Sequence, residues 1–193
     1  MGLRDYTKKL FADTMQDMMR TTPLQKIRVK DLCRNCGAER QSFYYHFKDK
    51  YDLVAWIFMQ DYQTALADGH GAYGVEHAAR MLRRMKEKSG FYKKAFADRS
   101  QNAVWQYIVE YFTKMGEEFV IRELGETALT FEARFAIKSH SFACMGHTVE
   151  WLEGKSDYTP EEFARLQYQI MPELLKRAYG IQTSADDCIS SPL

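Results

Sequence analysis

The chain has 193 residues, 46% hydrophobic and 14% aromatic, and its 27 basic and 26 acidic side chains leave a net charge of +1. This composition excludes a disordered polymer, and the length is ample to bury a core without disulfide staples. No stretch approaches the roughly 20 apolar residues that span a bilayer; the longest apolar run is "LVAWIFM" at 53–59. The start, "MGLRDYTKKLF", lacks the apolar core and small-residue cleavage site of a signal peptide, and four irregularly spaced cysteines form no disulfide framework. The expectation is a cytoplasmic protein. Charge is unevenly placed: residues 1–50 hold 11 lysines and arginines against 6 acids, whereas residues 51–193 hold 16 against 20. A basic head on a mildly acidic body suits a nucleic-acid binder with a second function.

Helical periodicity dominates and strand alternation is nearly absent, so the fold class is all-α with about nine helices. A first helix is predicted over 4–20, with Leu10, Phe11, Thr14, Met15, Met18 and Met19 as its apolar stripe, and "TTP" at 21–23 stops it. A second covers 29–35, and Gly37 suits the left-handed position that ends it. A third covers 39–45. Asp49 is a good N-cap for a long fourth helix, which "GHGAYG" at 69–74 breaks. Further helices are predicted at 75–89, 91–97, 101–124, 131–153 and 160–179, the last started by Thr159 and Pro160. The tail 181–193 reads as an unpacked, flexible segment.

The segment "ERQSFYYHFKDK" at 39–50 crowds aromatic rings among cations. Phe43 and Phe47, four apart, share one helical face and suit a core. Tyr44, Tyr45 and His46 have no such use unless something outside the chain touches them. Two short helices joined at a glycine turn are the layout of a helix-turn-helix. The run "IRVKDLCRNCGAERQSFYYHFKDKYDLV" at 27–54 closely resembles the DNA-binding segment of the tetracycline-repressor (TetR) family of bacterial regulators. The match includes Ile27 and Val29, the "DL" of helix two, Gly37, the "YYHFKDK" block and the "DL" opening the fourth helix; it is contiguous and ungapped. The resemblance implies a helix-turn-helix domain over 1–48 and a helical effector-sensing and dimerisation domain over 49–180.

It also implies roles. Arg40, Gln41 and Ser42 fall where side chains reach base edges in the major groove, and Tyr44 matches a tyrosine at the phosphate backbone. Tyr45, His46 and Lys50 are expected as backbone positioners, with Arg28 and Lys30 near phosphate. Arg28 and Glu39 depart from the Ser or Thr caps common in the family, and Glu39 opposes DNA electrostatically.

Further along, "SGFYKKAF" at 89–96 and "MGHTVEWLEGKSDYTPEEFARL" at 145–166 resemble the C-terminal domain of a Firmicutes-type subgroup that includes regulators related to dihydroxyacetone-kinase operons. The resemblance implies that the helices at 131–153 and 160–179 pair two subunits, with Phe142, Gly146, Val149, Trp151, Phe163, Leu166 and Ile170 as interface candidates against a plain intramolecular core. Phe91, Tyr92, Trp105, Ile108 and Phe112 are either core or the lining of a pocket for a small-molecule effector. In the family, ligand-driven movement passes through the sixth helix to the fourth.

His140, Cys144 and His147 lie at i, i+4 and i+7 with metal-ligand chemistry, but no fourth ligand is visible and a packed cluster is the simpler reading; no metal or cofactor is assigned. Cys33 and Cys36 read as small buried residues, because a redox C-x-x-C belongs in a βαβ context. No phosphate-cradling glycine loop, nucleophile elbow or H-E-x-x-H motif occurs, so no catalytic residue is assigned and the chain does not read as an enzyme. The functional expectation is a dimeric transcription regulator, a repressor by preference, on a palindromic operator. The alternative is an adaptor or coactivator controlled by a protein partner.

Overall fold

The computed structural model describes residues 3–69, 73–97, 104–125 and 128–180, and all regular structure among them is helical. Ten α-helices follow in order: α1 (Leu3–Thr21), α2 (Val29–Cys36), α3 (Arg40–His46), α4 (Lys50–Ala67), α5 (Val75–Glu87), α6 (Ser89–Phe96), α7 (Val104–Leu124), α8 (Phe131–Glu153), α9 (Pro160–Gln169) and α10 (Glu173–Ala178). A 3-10 turn, Leu24–Lys26, joins α1 to α2. No helix of the described residues is long and apolar enough to cross a membrane. The tail expected over 181–193 and the start of the helix expected at 101 lie outside the described residues.

Local chemistry sets most boundaries. Gly37 closes α2 at φ 66°, a left-handed conformation that costs glycine nothing and lets the chain turn at once into α3. Asp49 caps α4, its Oδ1 accepting from the backbone N–H of Tyr51 and Asp52 at 2.8 and 2.9 Å. Thr159 and Glu162 form a reciprocal capping box at the start of α9, with Pro160 in the first turn. The single helix expected over 160–179 is divided: α9 ends at Gln169 and Pro172 caps α10. Proline offers no N–H to the preceding turn and disfavours helical backbone at the residue before it.

The first three helices share an aromatic core. Phe11 of α1 meets Phe43 of α3 edge-on at 5.3 Å and Phe47 at 6.5 Å, and Phe47 continues onto Trp56 of α4 at 5.9 Å. Leu24, Leu32 and Leu53 complete this core, all fully buried. Helix α4 then runs on to pack against α5 and α7, so it belongs to both ends of the molecule. Its Asp61 is buried and accepts from Lys88 Nζ at 2.7 Å and from the Tyr92 hydroxyl at 2.6 Å. Beyond it α7 lies along α8 and α10, and α9 lies along α5.

Phe43 has no accessible surface and three ring neighbours. Phe43→Ala is expected to destabilise the chain by about 3–5 kcal/mol in denaturant unfolding, the usual range for a truncated core phenylalanine.

Candidate functional site

The rings of α3 divide by face. Phe43 and Phe47 are locked inward, which turns Arg40, Gln41, Tyr44 and Tyr45 out to solvent, Tyr45 with 66% of its surface exposed. The Arg40 guanidinium stands 6.0 Å from the centre of the Tyr44 ring, and Tyr45 meets His46 edge-on at 5.0 Å. Ser42 and His46 are half-buried at the margin, and Arg28 and Lys30 are exposed at the start of α2. Neither Arg28 nor Glu39 forms a side-chain cap, as their departure from Ser or Thr foretells. The outcome is a short outward helix face with one guanidinium, one carboxamide and two phenol rings, the donor types that read base edges and phosphates.

Lys50 is a correction. Its ammonium is directed inward, donating to the carbonyls of Leu24, Gln25 and Ile27 at 2.8, 2.8 and 3.0 Å. Three acceptors match the three protons of an ammonium, so this cation secures the turn between α1 and α2 rather than a phosphate. Lys48, which the sequence reading passed over, is the exposed cation of that "KDK" turn.

Between α4, α5, α7, α8 and α9 lies a cavity of about 200 Å³. Of the pocket candidates, Ile108 and Phe112 line it. Phe91, Tyr92 and Trp105 do not. Tyr92 is committed to Asp61, and burial together with that carboxylate raises its phenol well above the usual range. Phe91 borders a separate surface cleft between α1 and α6, and Trp105 packs edge-on against Phe142 at 5.7 Å. No residue of α6 lines the cavity. Residues that sequence reasoning missed supply the rest, notably Phe58 and Tyr62 on α4 and His77 on α5. The apolar face of α5 was legible as a signal, whereas a lone histidine on it was not.

The interface candidates separate in the same way. Phe142 and Gly146 on α8 and Ile170 after α9 are exposed, Leu166 is half-buried, and Val149, Trp151 and Phe163 are interior. Trp151 stacks on Phe163 at 5.4 Å and its indole N–H donates to the Tyr158 carbonyl at 2.7 Å, which corrects these three from interface to subunit core. Two phenylalanines that the reading did not name, Phe131 and Phe135, continue the outer stripe of α8 with 77% and 65% of their surface exposed.

The three-residue metal pattern does not converge. His140 and Cys144 line the cavity with Nε2 and Sγ 3.5 Å apart, while His147 is exposed beside Glu150. Burial, then the charge of Lys176, lowers His140 to about 4, and burial raises Cys144 to about 12. Cys33 is buried and Cys36 half-buried, their thiols raised chiefly by burial, as small core residues would be.

Residues 76–173, just over half of the chain, match the TetR C-terminal family described as "Transcriptional regulator C-terminal region". The HTH-type dhaKLM operon transcriptional activator DhaS of Lactococcus lactis subsp. lactis (strain IL1403) is 31% identical over 91 residues, 47% of this chain and 49% of that protein. The match thus spans about half the length of this curated relative. The solved structure of a dihydroxyacetone kinase operon activator DhaS superposes over 92% of this chain and 98% of its own with a TM-score of 0.52 at 21% identity, a likeness of fold. A tetR-family transcriptional regulator from Streptomyces coelicolor aligns over 96% and 93% with a TM-score of 0.49 at 14% identity.

The neutral, half-buried His140 carries a pH signature. The folded ring resists protonation down to about pH 4, while the unfolded chain takes up its proton near the ordinary 6.5, so stability is intact above 6.5 and lost as pH falls toward 4. The loss is on the order of 2–3 kcal/mol. His140→Gln should flatten the fall measured by denaturant unfolding between neutral and mildly acidic pH; His77, also lowered by burial, leaves a residual slope.

Proposed function

This chain belongs to the TetR family of transcriptional regulators, and we propose that it acts as a homodimer whose two helix-turn-helix heads read a palindromic DNA operator under control of a small-molecule effector. The observation that carries this is the division of α3. Its apolar residues Phe43 and Phe47 are consumed by the core, and its outward face presents the Arg40 guanidinium, the Gln41 carboxamide and the Tyr44 and Tyr45 rings to solvent. Residues 1–48 form the reading head in this proposal and residues 49–180 the sensing and pairing body. Arg40, Gln41 and Ser42 address bases, and Tyr44, Tyr45, His46, Arg28 and Lys30 address the backbone.

Pairing is supported by the outer stripe of α8. Phe131, Phe135 and Phe142 are exposed on it, Ile170 adds 52% exposed apolar surface after α9, and the space beside Gly146 is open, allowing a second helix to approach closely. Exposed apolar side chains of this kind, with Phe131 stacked on Phe135, suit an interaction site. A two-fold dimer sets two heads on half-sites one helical turn or more apart. The cavity supports the effector part of the proposal, since two of its lining residues, Phe58 and Tyr62, belong to α4, the helix that leads to the head. As for the sign of regulation, repression is the form proposed, although the curated relative bears the name of an activator. A reporter behind the selected operator decides: expression that rises when the gene is deleted supports repression, and expression that falls supports activation.

Selection of bound sequences from a random duplex library at two salt concentrations tests the core of the proposal; an enriched palindrome sustains it and enrichment of nothing defeats it. On that operator, Arg40→Ala should lose about 1–3 kcal/mol while random duplex changes much less, and Tyr44→Ala should weaken both alike. Lys50→Met should lower stability yet leave the salt slope of binding unchanged, because its charge is spent on backbone carbonyls. Phe135→Glu should convert a dimer in sedimentation analysis to a monomer and cut operator affinity with it.

A further inference from the structure

The cavity is selective by charge. Among the described residues, none that lines it is an aspartate, glutamate, lysine or arginine. The titratable groups in its walls are neutral near pH 7: His140 is lowered to about 4, Cys144 is raised to about 12, and His77, with only 4% of its surface exposed, is lowered by burial. Lys176, the cation nearest His140 in effect, is taken up by Glu173 at 2.8 Å. An anion entering this space would surrender its hydration without meeting a counter-ion, at a cost of several kcal/mol.

The same walls favour an apolar body. Met81, Met85, Met115, Met145 and Met171 are five of the chain's ten methionines, and all line the cavity. Thioethers are polarizable, adapt to irregular shapes and contact rings favourably. Polar capacity is sparse, and one acceptor in it is unpaired. The side-chain amide N–H groups of Gln167 donate to Thr148 Oγ1 at 2.9 Å and to the Cys144 carbonyl at 3.3 Å. The His77 ring donates to the Tyr62 backbone, which leaves its Nε2 as a lone-pair acceptor, and that buried atom has no partner among the described residues. An unpaired buried acceptor is costly and seeks a donor.

We infer that this cavity takes an uncharged molecule with an aromatic or branched aliphatic body and a hydrogen-bond donor, and rejects carboxylates and phosphates of the same shape. This specifies the effector class within the reading of the cavity as the effector site.

The test compares 2-naphthamide with 2-naphthoate, which share a ring system and nearly a volume but differ in charge and in the donor. Titration calorimetry on the full chain should show the amide binding at least about tenfold more tightly than the acid. Met81→Trp, or the milder Ala78→Leu, should abolish amide binding by filling the space, with the helical signal and melting temperature checking the fold. Gln167→Lys, placing a cation in the wall, should reverse the preference; if it does not fold, the comparison on the unaltered chain decides alone. The inference is overturned if the acid binds as well as the amide, if neither binds, or if both filled variants fold and bind the amide unchanged. Operator binding by the same sample separates the two readings. A chain that binds operator but neither probe loses only the ligand class, and one that selects the amide but enriches no operator loses the regulatory proposal and keeps the site.

Discussion

Helix α4 is seated by polar contacts at two levels, and both ends of the molecule take their positions from it. At its start, Lys50 gathers the three carbonyls of the turn between α1 and α2, and Asp49 caps the helix. Midway, buried Asp61 is held by Lys88 and the Tyr92 hydroxyl. A carboxylate so far from water is tolerable only with its partners, and removing one partner of such a pair commonly costs about 3–5 kcal/mol. The contact therefore acts as a locating pin between α4 and the start of α6, more specific in geometry than the apolar packing around it. Phe58, on the same helix, meets Tyr92, Phe96 and Phe112 edge-on and extends the seat into the body.

Two further contacts join the ends. The Tyr107 hydroxyl of α7 donates to Asp49 Oδ2 at 3.0 Å, and burial together with this carboxylate raises the phenol to about 12. One carboxylate thus serves the N-terminus of α4 with one oxygen and α7 with the other. Lys94 of α6 donates to the carbonyls of Met19 and Arg20 at the end of α1. Ile108 and Phe112 of the cavity wall stand one and five residues beyond Tyr107 on the same helix. Direct contacts therefore link the helix that bears the cavity wall, α7, to the start of α4, with α6 as a brace onto α1.

Much of this was legible in the sequence because it is written locally. Gly37, Asp49 and the Thr159–Pro160 pair declare helix ends through backbone conformation and capping, which need no knowledge of the fold. The outward face of α3 was legible for the same reason, since Phe43 and Phe47 fix the helix phase within a few residues. What stayed hidden depends on partners distant in the chain. Nothing near Lys50 foretells carbonyls more than 20 residues upstream, and a lysine beside a presumed DNA surface looks like a phosphate contact. Helical periodicity cannot tell which neighbour an aromatic face meets, so Trp151 and Phe163 read as interface candidates or as core, and they lie in the core. The break at Pro172 was a local signal that the surrounding apolar periodicity outweighed.

The clamp on the 3-10 turn bears on how such proteins are recombined. The residue that ties down Leu24, Gln25 and Ile27 is Lys50, at the first turn of the following helix, and Trp56 of that helix backs Phe47. A segment of α1, α2 and α3 excised at residue 48 would leave behind its own fastener and the back wall of its aromatic core. Chimaeras that graft one specificity onto another sensor should accordingly be joined beyond Trp56, within α4, where the seam crosses a continuous helix rather than a bonded joint. The portable unit is longer than the three helices α1, α2 and α3.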